Sequence, residues 1–342
     1  MAASPAERIP ERYSRRTVEV RDAHAELLAD FRAGMLEPPR SLPPKYFYDA
    51  RGSALFDAIC DTPEYYPTRL EASLLERNAE AIITAAGAST LVELGSGTSR
   101  KTEYLLAPLE RAAGEQAHYV ANDVCPEILD EAGVRLVERF PQLSIRALAG
   151  DYIAALEALT DDQAESGHGE ARLFTFLGSS LGNFEDAEAI ALLQAIRRTM
   201  GPDDHLLLGL DRVKPVDVME AAYDDSAGVT AAFNLNLLSV LNRELGADFD
   251  QRGFVHRAPF NHGGSRIEML LVAQAPQQVR VDAFDTTLEL TAGEVIRTEI
   301  SRKFDATMID RLLAGSGLLR DREWLAGDGW YSLLMLRPDP EA

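Results

Sequence analysis

The stretch Leu91-Val92-Glu93-Leu94-Gly95-Ser96-Gly97-Thr98-Ser99-Arg100-Lys101-Thr102 reads as a buried strand that runs into a glycine turn and opens a helix. Leu91, Val92 and Leu94 suit a sheet interior, while Gly95 and Gly97 let the backbone turn sharply and approach a ligand without a Cβ clash. The pattern is E-x-G-x-G. It lacks the third glycine of a dinucleotide fingerprint and the G-K-[ST] ending of a phosphate-cradling loop, so pyrophosphate is not its natural ligand. The acidic Glu93 would repel phosphate. It suits S-adenosylmethionine (SAM), whose cationic methionyl end a carboxylate can face, or it supports the turn itself.

The surrounding sequence repeats the strand-then-helix alternation. After a helix over Lys101 to Ala113, further strands are expected at His118 to Asn122, Ser144 to Leu148, Leu173 to Leu177 and His205 to Asp211, with a helix over Glu185 to Met200. Continuous apolar strands alternating with helices imply a parallel sheet covered on both faces. Ligands of such sheets sit beyond the carboxyl ends of the strands, where Gly95, Asp123, Asp151 and Asn183 all fall. An acidic residue after the second strand suits ribose hydroxyls, and Asp151 with Tyr152 suits the flanks of an adenine. A helix over Phe304 to Ser316 and strands at Leu318 to Trp324 and Trp330 to Arg337 complete the pattern of a Rossmann-like, class I SAM-dependent methyltransferase core.

About 90 residues between the fifth strand and this ending, 214 to 303, exceed what the core needs. A helical stretch over Val216 to Leu245 and strands at Arg266 to Ala273, Val279 to Phe284, Asp285 to Leu290 and Glu294 to Phe304 imply an inserted α+β substrate-binding domain. The expected division is 70–213 with 304–342 for the cofactor and 23–69 with 214–303 for the substrate, with 1–22 a loosely held extension.

The 342 residues carry a formal charge of -21, with 46% hydrophobic and 26% charged positions. That acidity repels nucleic-acid backbones and anionic membranes and favours a small-molecule substrate. Cys60 and Cys125 are too few and too far apart for a disulfide framework or thiolate site, and the six histidines show no metal-ligand grouping, so no metal is expected. Without a signal segment or an apolar run of about 18 to 20 residues, the expectation is a cytoplasmic monomer.

Several segments resemble one family, the SAM-dependent histidine Nα-methyltransferases of ergothioneine biosynthesis. They are Ser41-Leu42-Pro43-Pro44-Lys45-Tyr46-Phe47-Tyr48-Asp49, Pro63-Glu64-Tyr65-Tyr66-Pro67-Thr68-Arg69, Glu93 to Ser99, Phe176 to Asn183, Ala222-Tyr223-Asp224-Asp225, Thr230 to Asn234, Arg266 to Met269 and Thr298-Glu299-Ile300-Ser301. The resemblance spans nearly the whole chain from about residue 24. Tyr46 stands where some relatives have tryptophan and Ser180 where threonine is common; neither change removes a polar group. The resemblance implies transfer of three methyl groups from SAM to the α-amino nitrogen of L-histidine, giving hercynine. It implies cofactor contacts at Gly95, Lys101, Asp123, Asp151 and Tyr152, and substrate contacts at Tyr48, Tyr65, Asn183, Tyr223, Glu299 and Ser301.

The chemistry of these residues suits those roles. Tyr48 is the candidate to touch the reacting amine, where its ring and hydroxyl stabilise a methylated cation by about 0.5 to 2 kcal/mol. Asn183 offers both a donor and an acceptor to the amino-acid head group. Tyr223 would reach the carboxylate from the inserted domain. Glu299 and Ser301, two residues apart on a strand, share a face and match the two nitrogens of an imidazole. Met269 is either a pocket wall or simple core packing. A methyltransferase for another amino acid such as tryptophan, or a SAM-binding module without catalysis, is the competing expectation.

Overall fold

The computed structural model describes residues 11–19, 22–166 and 170–341. In chain order it runs β1 (Tyr13–Thr17), α1 (Ala23–Gly34), β2 (Arg40–Ser41), α2 (Ala50–Cys60), α3 (Tyr66–Ala86), β3 (Thr90–Leu94), α4 (Glu103–Ala113), β4 (His118–Asp123) and α5 (Pro126–Arg139). Then come β5 (Ser144–Ala149), α6 (Tyr152–Ser166), β6 (Arg172–Phe176), α7 (Asp186–Thr199), β7 (His205–Asp211), α8 (Val216–Tyr223), α9 (Val229–Leu245), β8 (Phe254–Arg257) and β9 (Phe260–Asn261). The chain ends with β10 (Arg266–Ala273), β11 (Gln277–Val281), β12 (Thr286–Leu290), β13 (Val295–Arg302), α10 (Ala306–Ser316), β14 (Leu318–Ala326) and β15 (Tyr331–Pro338).

An eight-stranded sheet in the order β1-β5-β4-β3-β6-β7-β15-β14 forms the first body. From β1 to β7 neighbouring strands are parallel, and β15 and β14 close it antiparallel. Strands such as Thr90–Leu94 and His205–Asp211 are buried on both faces because helices cover both sides, and two apolar clusters lie there. Strand order reverses between β3 and β6, which opens the ligand crevice above the glycine turn. The α/β core expected from the sequence is therefore present, with its terminal helix and hairpin.

A second sheet, β2-β13-β10-β8 with β9 on β10, packs on α1, α2, α8 and α9 around its own apolar cluster. That cluster draws Phe31, Phe47 and Tyr65 from the N-terminal segment and Phe233, Met269 and Ile296 from the insertion. The insertion leaves and re-enters the first sheet side by side, since Phe304 N–H donates to the Asp211 carbonyl at 2.8 Å and Val213 N–H to the Phe304 carbonyl at 3.3 Å.

Four expectations need correction. Tyr13–Thr17 is not loosely held: it pairs in parallel with β5, the Tyr13 hydroxyl donates to Asp130 at 2.6 Å, and the Arg12 guanidinium donates to three carbonyls at the end of α5 and beyond it. Residues 1–10, 20 and 21 of the expected extension lie outside the described residues. The stretch Val216 to Leu245 is two helices, because the Asp225 carboxylate accepts the N–H groups of Val229 and Thr230 and Gly228 takes φ 73°. Asp282–Phe284 is a 3-10 turn between β11 and β12, and Lys101 precedes its helix rather than belonging to it.

Candidate functional site

Gly95 and Gly97 turn the chain out of β3 with φ of 70° and 49°. A Cβ on Gly95 would lie 3.1 Å from the Tyr152 hydroxyl, so this glycine leaves space beside the ring that begins α6. Tyr152 stands edge-on to Phe176 at 5.3 Å. Asp123, at the end of β4, accepts the Gly97 N–H at 2.9 Å on one oxygen and the Cys125 N–H at 3.0 Å on the other. The acceptor capacity left by these donors and the Val124 N–H can take a ribose hydroxyl. Burial raises the Asp123 carboxyl, opposed by these backbone donors. Asp151 caps α6 through the Ala154 N–H at 2.8 Å.

Of the two roles open to Glu93, the structure shows support of the turn. Its buried carboxylate accepts from the Thr102 hydroxyl at 2.7 Å and from the Tyr119 hydroxyl, which also bonds Ser99 at 2.9 Å. Burial pushes Glu93 up to about 7. Lys101 pairs with the fully buried Glu71 of α3. The same carboxylate accepts the Gly178 N–H at 2.7 Å and the Tyr331 hydroxyl at 2.6 Å, tying the lysine to the loop that follows β6. The glycine turn with its cradle, a hydroxyl-accepting Asp123 and the Asp151–Tyr152 pair fit SAM: Gly95, Lys101, Asp123, Asp151 and Tyr152 are the residues able to hold it.

The opposite wall belongs to the second body. Tyr48 follows the 3-10 turn Pro44–Phe47, with its ring 5.7 Å from Phe56 and 5.8 Å from Phe233. It keeps 45% of its surface accessible, yet enough protein crowds its hydroxyl that burial, then the charge of Glu299, pushes it well above the ordinary phenol range. Tyr152 of α6 is among the groups near it. Tyr65 is buried edge-on to Tyr223 at 5.9 Å, and Glu299 acts on both phenols.

Glu299 and Ser301 lie on β13, and Glu299 stands opposite Met269 on β10. Met269 is buried in the second core as well as beside Glu299, so the two readings of it are not exclusive. Burial pushes Glu299 up to about 7, with the Lys303 charge opposing. Asn183 ends the short 3-10 turn Ser180–Asn183, which packs on β13 through Gly182: a Cβ there would lie 3.0 Å from the Arg302 carbonyl oxygen. The structure thus brings Tyr48, Tyr65, Tyr223 and Glu299 together and sets the Asn183 turn against β13, which carries Glu299 and Ser301.

Sequence reasoning missed the ionic layer beneath. Asp211, at the end of β7, accepts from Tyr66 at 2.8 Å, from Lys303 at 2.9 Å and from Lys214, and all three charged groups are buried. Lys303 also donates to the Tyr223 hydroxyl at 3.0 Å and to Ser301 Oγ at 2.9 Å. Burial, with Lys303 adding to it, lowers Lys214 to about 8. An acidic residue at the carboxyl end of the fifth strand was the signal available for Asp211. A separate network fixes Tyr223 from behind: its carbonyl meets His256 Nε2 at 2.8 Å, His256 Nδ1 meets Asn234 at 2.8 Å, and Asn234 accepts from Thr298 at 2.7 Å.

Comparison with known proteins shows the family. Residues 27–338 match a family described as histidine-specific methyltransferase, SAM-dependent. The chain is 46% identical, over 91% of its length and 96% of the relative, to a histidine N-alpha-methyltransferase of Mycolicibacterium smegmatis. It is 29% identical over 87% of its length to ergothioneine biosynthesis protein 1 of Neurospora crassa, covering 33% of that longer protein. It is 28% identical over 89% of its length to an L-tryptophan methyltransferase of Psilocybe serbica, covering 90% of it.

Proposed function

This chain belongs to the SAM-dependent, histidine-specific methyltransferase family, and we propose that it adds three methyl groups to the α-amino nitrogen of L-histidine, giving hercynine for ergothioneine biosynthesis. The observation that supports this reading is the cluster of Tyr48, Tyr65, Tyr223 and Glu299, in which Tyr65 stands edge-on to Tyr223 at 5.9 Å and the Glu299 charge reaches all three phenols.

Bound SAM supplies an electrophilic sulfonium methyl. The acceptor nitrogen must be neutral with its lone pair in line, and holding it so is worth several kcal/mol of the barrier. In the proposed pose Asn183 orients the head group, Tyr223 donates to the carboxylate, and Tyr48 packs against the amine. Tyr48 is raised well above the usual range, so at neutral pH it is a phenol and offers a lone pair and a ring face rather than a base. The amine proton then leaves to water. Glu299 and Ser301 meet the two imidazole nitrogens, a demand that an indole with its single N–H does not fulfil.

The test is product mass after incubation with SAM and a panel of amino acids. Three added methyl units on histidine are expected. Methylated tryptophan in preference to histidine would reassign the substrate, and no product from any amino acid would remove the enzymatic reading.

A further inference from the structure

Lys303 is fully buried, and all three of its N–H donors are spent inside the protein: on Asp211 Oδ2 at 2.9 Å, Tyr223 OH at 3.0 Å and Ser301 Oγ at 2.9 Å. The two hydroxyl oxygens it holds are 2.7 Å apart. At that separation a proton must lie between them, because two oxygens without one repel. The arrangement has a countable consequence.

We propose that Lys303 is a positioning residue: it clamps the Tyr223 and Ser301 hydroxyls into a pair that presents the substrate with one outward O–H and one outward lone pair. A hydroxyl has one proton and two lone pairs. The ammonium occupies one lone pair on each oxygen, and the internal bond takes one proton and one lone pair more. If Tyr223 spends the outward proton on the substrate carboxylate, Ser301 can only accept. The imidazole must then turn an N–H toward Ser301, and its other nitrogen must share a proton with Glu299. Bound ring and Glu299 together hold one proton more than a neutral ring beside an ionised carboxylate.

The inference rests on the reading of Tyr223 and Ser301 as substrate ligands. The charges around the pair are consistent with it. Burial works against the charge of Lys303, but Asp211 and Tyr223 outweigh it, so the ammonium persists, with Tyr66 sharing Asp211 Oδ2 and Lys214 on Oδ1. Glu299 faces Lys303 from its own strand, Tyr48 and Tyr65 from the N-terminal segment and Tyr223 from α8.

The test uses the whole protein with S-adenosylhomocysteine and Nα,Nα,Nα-trimethylhistidine, whose quaternary nitrogen cannot titrate. Calorimetry at about pH 8.5, in buffers of different ionisation enthalpy, starts from a neutral ring and an ionised Glu299. Binding is expected to take up about one proton, and affinity to fall by as much as about tenfold per pH unit above that point. Binding with no proton uptake overturns the clamp. In Lys303→Met the oxygens are free to part and Ser301 to donate; affinity for trimethylhistidine should fall about tenfold or more and the uptake shrink, with S-adenosylhomocysteine affinity within about twofold. A folded variant with undiminished uptake overturns the proposal; because the Lys303 charge also holds Glu299 down, the variant is read at a pH high enough that its free Glu299 is ionised as well. If the variant fails to fold, the wild-type uptake decides. Failure of the parent reading shows itself separately, as absence of methylated histidine, and the clamp falls with it.

Discussion

Glu299 is raised by burial to about 7, against 4.5 for an ordinary glutamate. Between those values the folded protein holds a proton that the unfolded chain has released, so stability is complete below about pH 4.5 and is lost as pH rises through 7. The side chain is half-buried, so part of the full linkage is screened and about 1 to 2 kcal/mol remains. Glu299→Gln keeps the shape and removes the titration. Thermal melts should place the variant above wild type at pH 8 and level with it near pH 4.5. A variant that melts below wild type at pH 8 would mean the carboxylate is stabilising where it stands. The same substitution should impair histidine turnover, because an amide cannot share the imidazole proton. A residue that costs stability and aids the reaction is what a pre-organised site requires.

At the scale of elements, Glu71 is the point where α3, the loop after β3, the loop after β6 and β15 meet. Its one carboxylate serves Lys101, the Gly178 N–H and the Tyr331 hydroxyl at zero exposure. Glu71→Ala leaves three donors unmatched, two of them neutral and one cationic, which should cost about 3 kcal/mol in urea unfolding. It should also weaken SAM and histidine together, since Lys101 and the Gly178–Asn183 loop lose the same support. Loss of SAM affinity alone in calorimetry would show that the loop does not depend on Glu71. None of this was legible in the sequence, where Glu71 is one acid in an amphipathic helix. The strands Leu91 to Leu94 and Leu173 to Phe176 were legible because burial on both faces writes itself as an apolar run. Tyr13–Thr17 was not: only Tyr13 is buried in it, and an edge strand of Ser14, Arg15 and Arg16 carries no such pattern. Glu299 and Ser301 were reached through strand alternation and a family resemblance. Lys303 continues the same alternation, but its value lies in Asp211, ninety-odd residues earlier, and only the return of the insertion beside β7 brings them together.

The whole molecule sets the eight-stranded sheet against a second body, and the first draws on both ends of the chain. The terminal segment of β14 and β15 supplies Tyr331 to Glu71; at the other end, β1 forms the edge of the sheet next to the strand that delivers Asp151. Val18 N–H donates to the Ala149 carbonyl at 3.0 Å, and a Cβ on Gly150 would come within 2.7 Å of the Val18 side chain. The backbone just before the Asp151–Tyr152 pair is therefore held from outside by the residues that follow β1. Removing residues 1–19 strips that cover, exposes the edge of β5 and frees the end of α5 from Arg12. The expected result is a fold that survives, because the buried clusters lie mostly elsewhere, but that binds SAM about tenfold more weakly, while the histidine-facing residues of the second body keep their geometry. Calorimetric titration of the truncated protein with SAM reads this directly. Unchanged SAM affinity would mean that Gly150 and Asp151 are positioned by β4 and α6 alone, and that β1 serves only to close the sheet's edge.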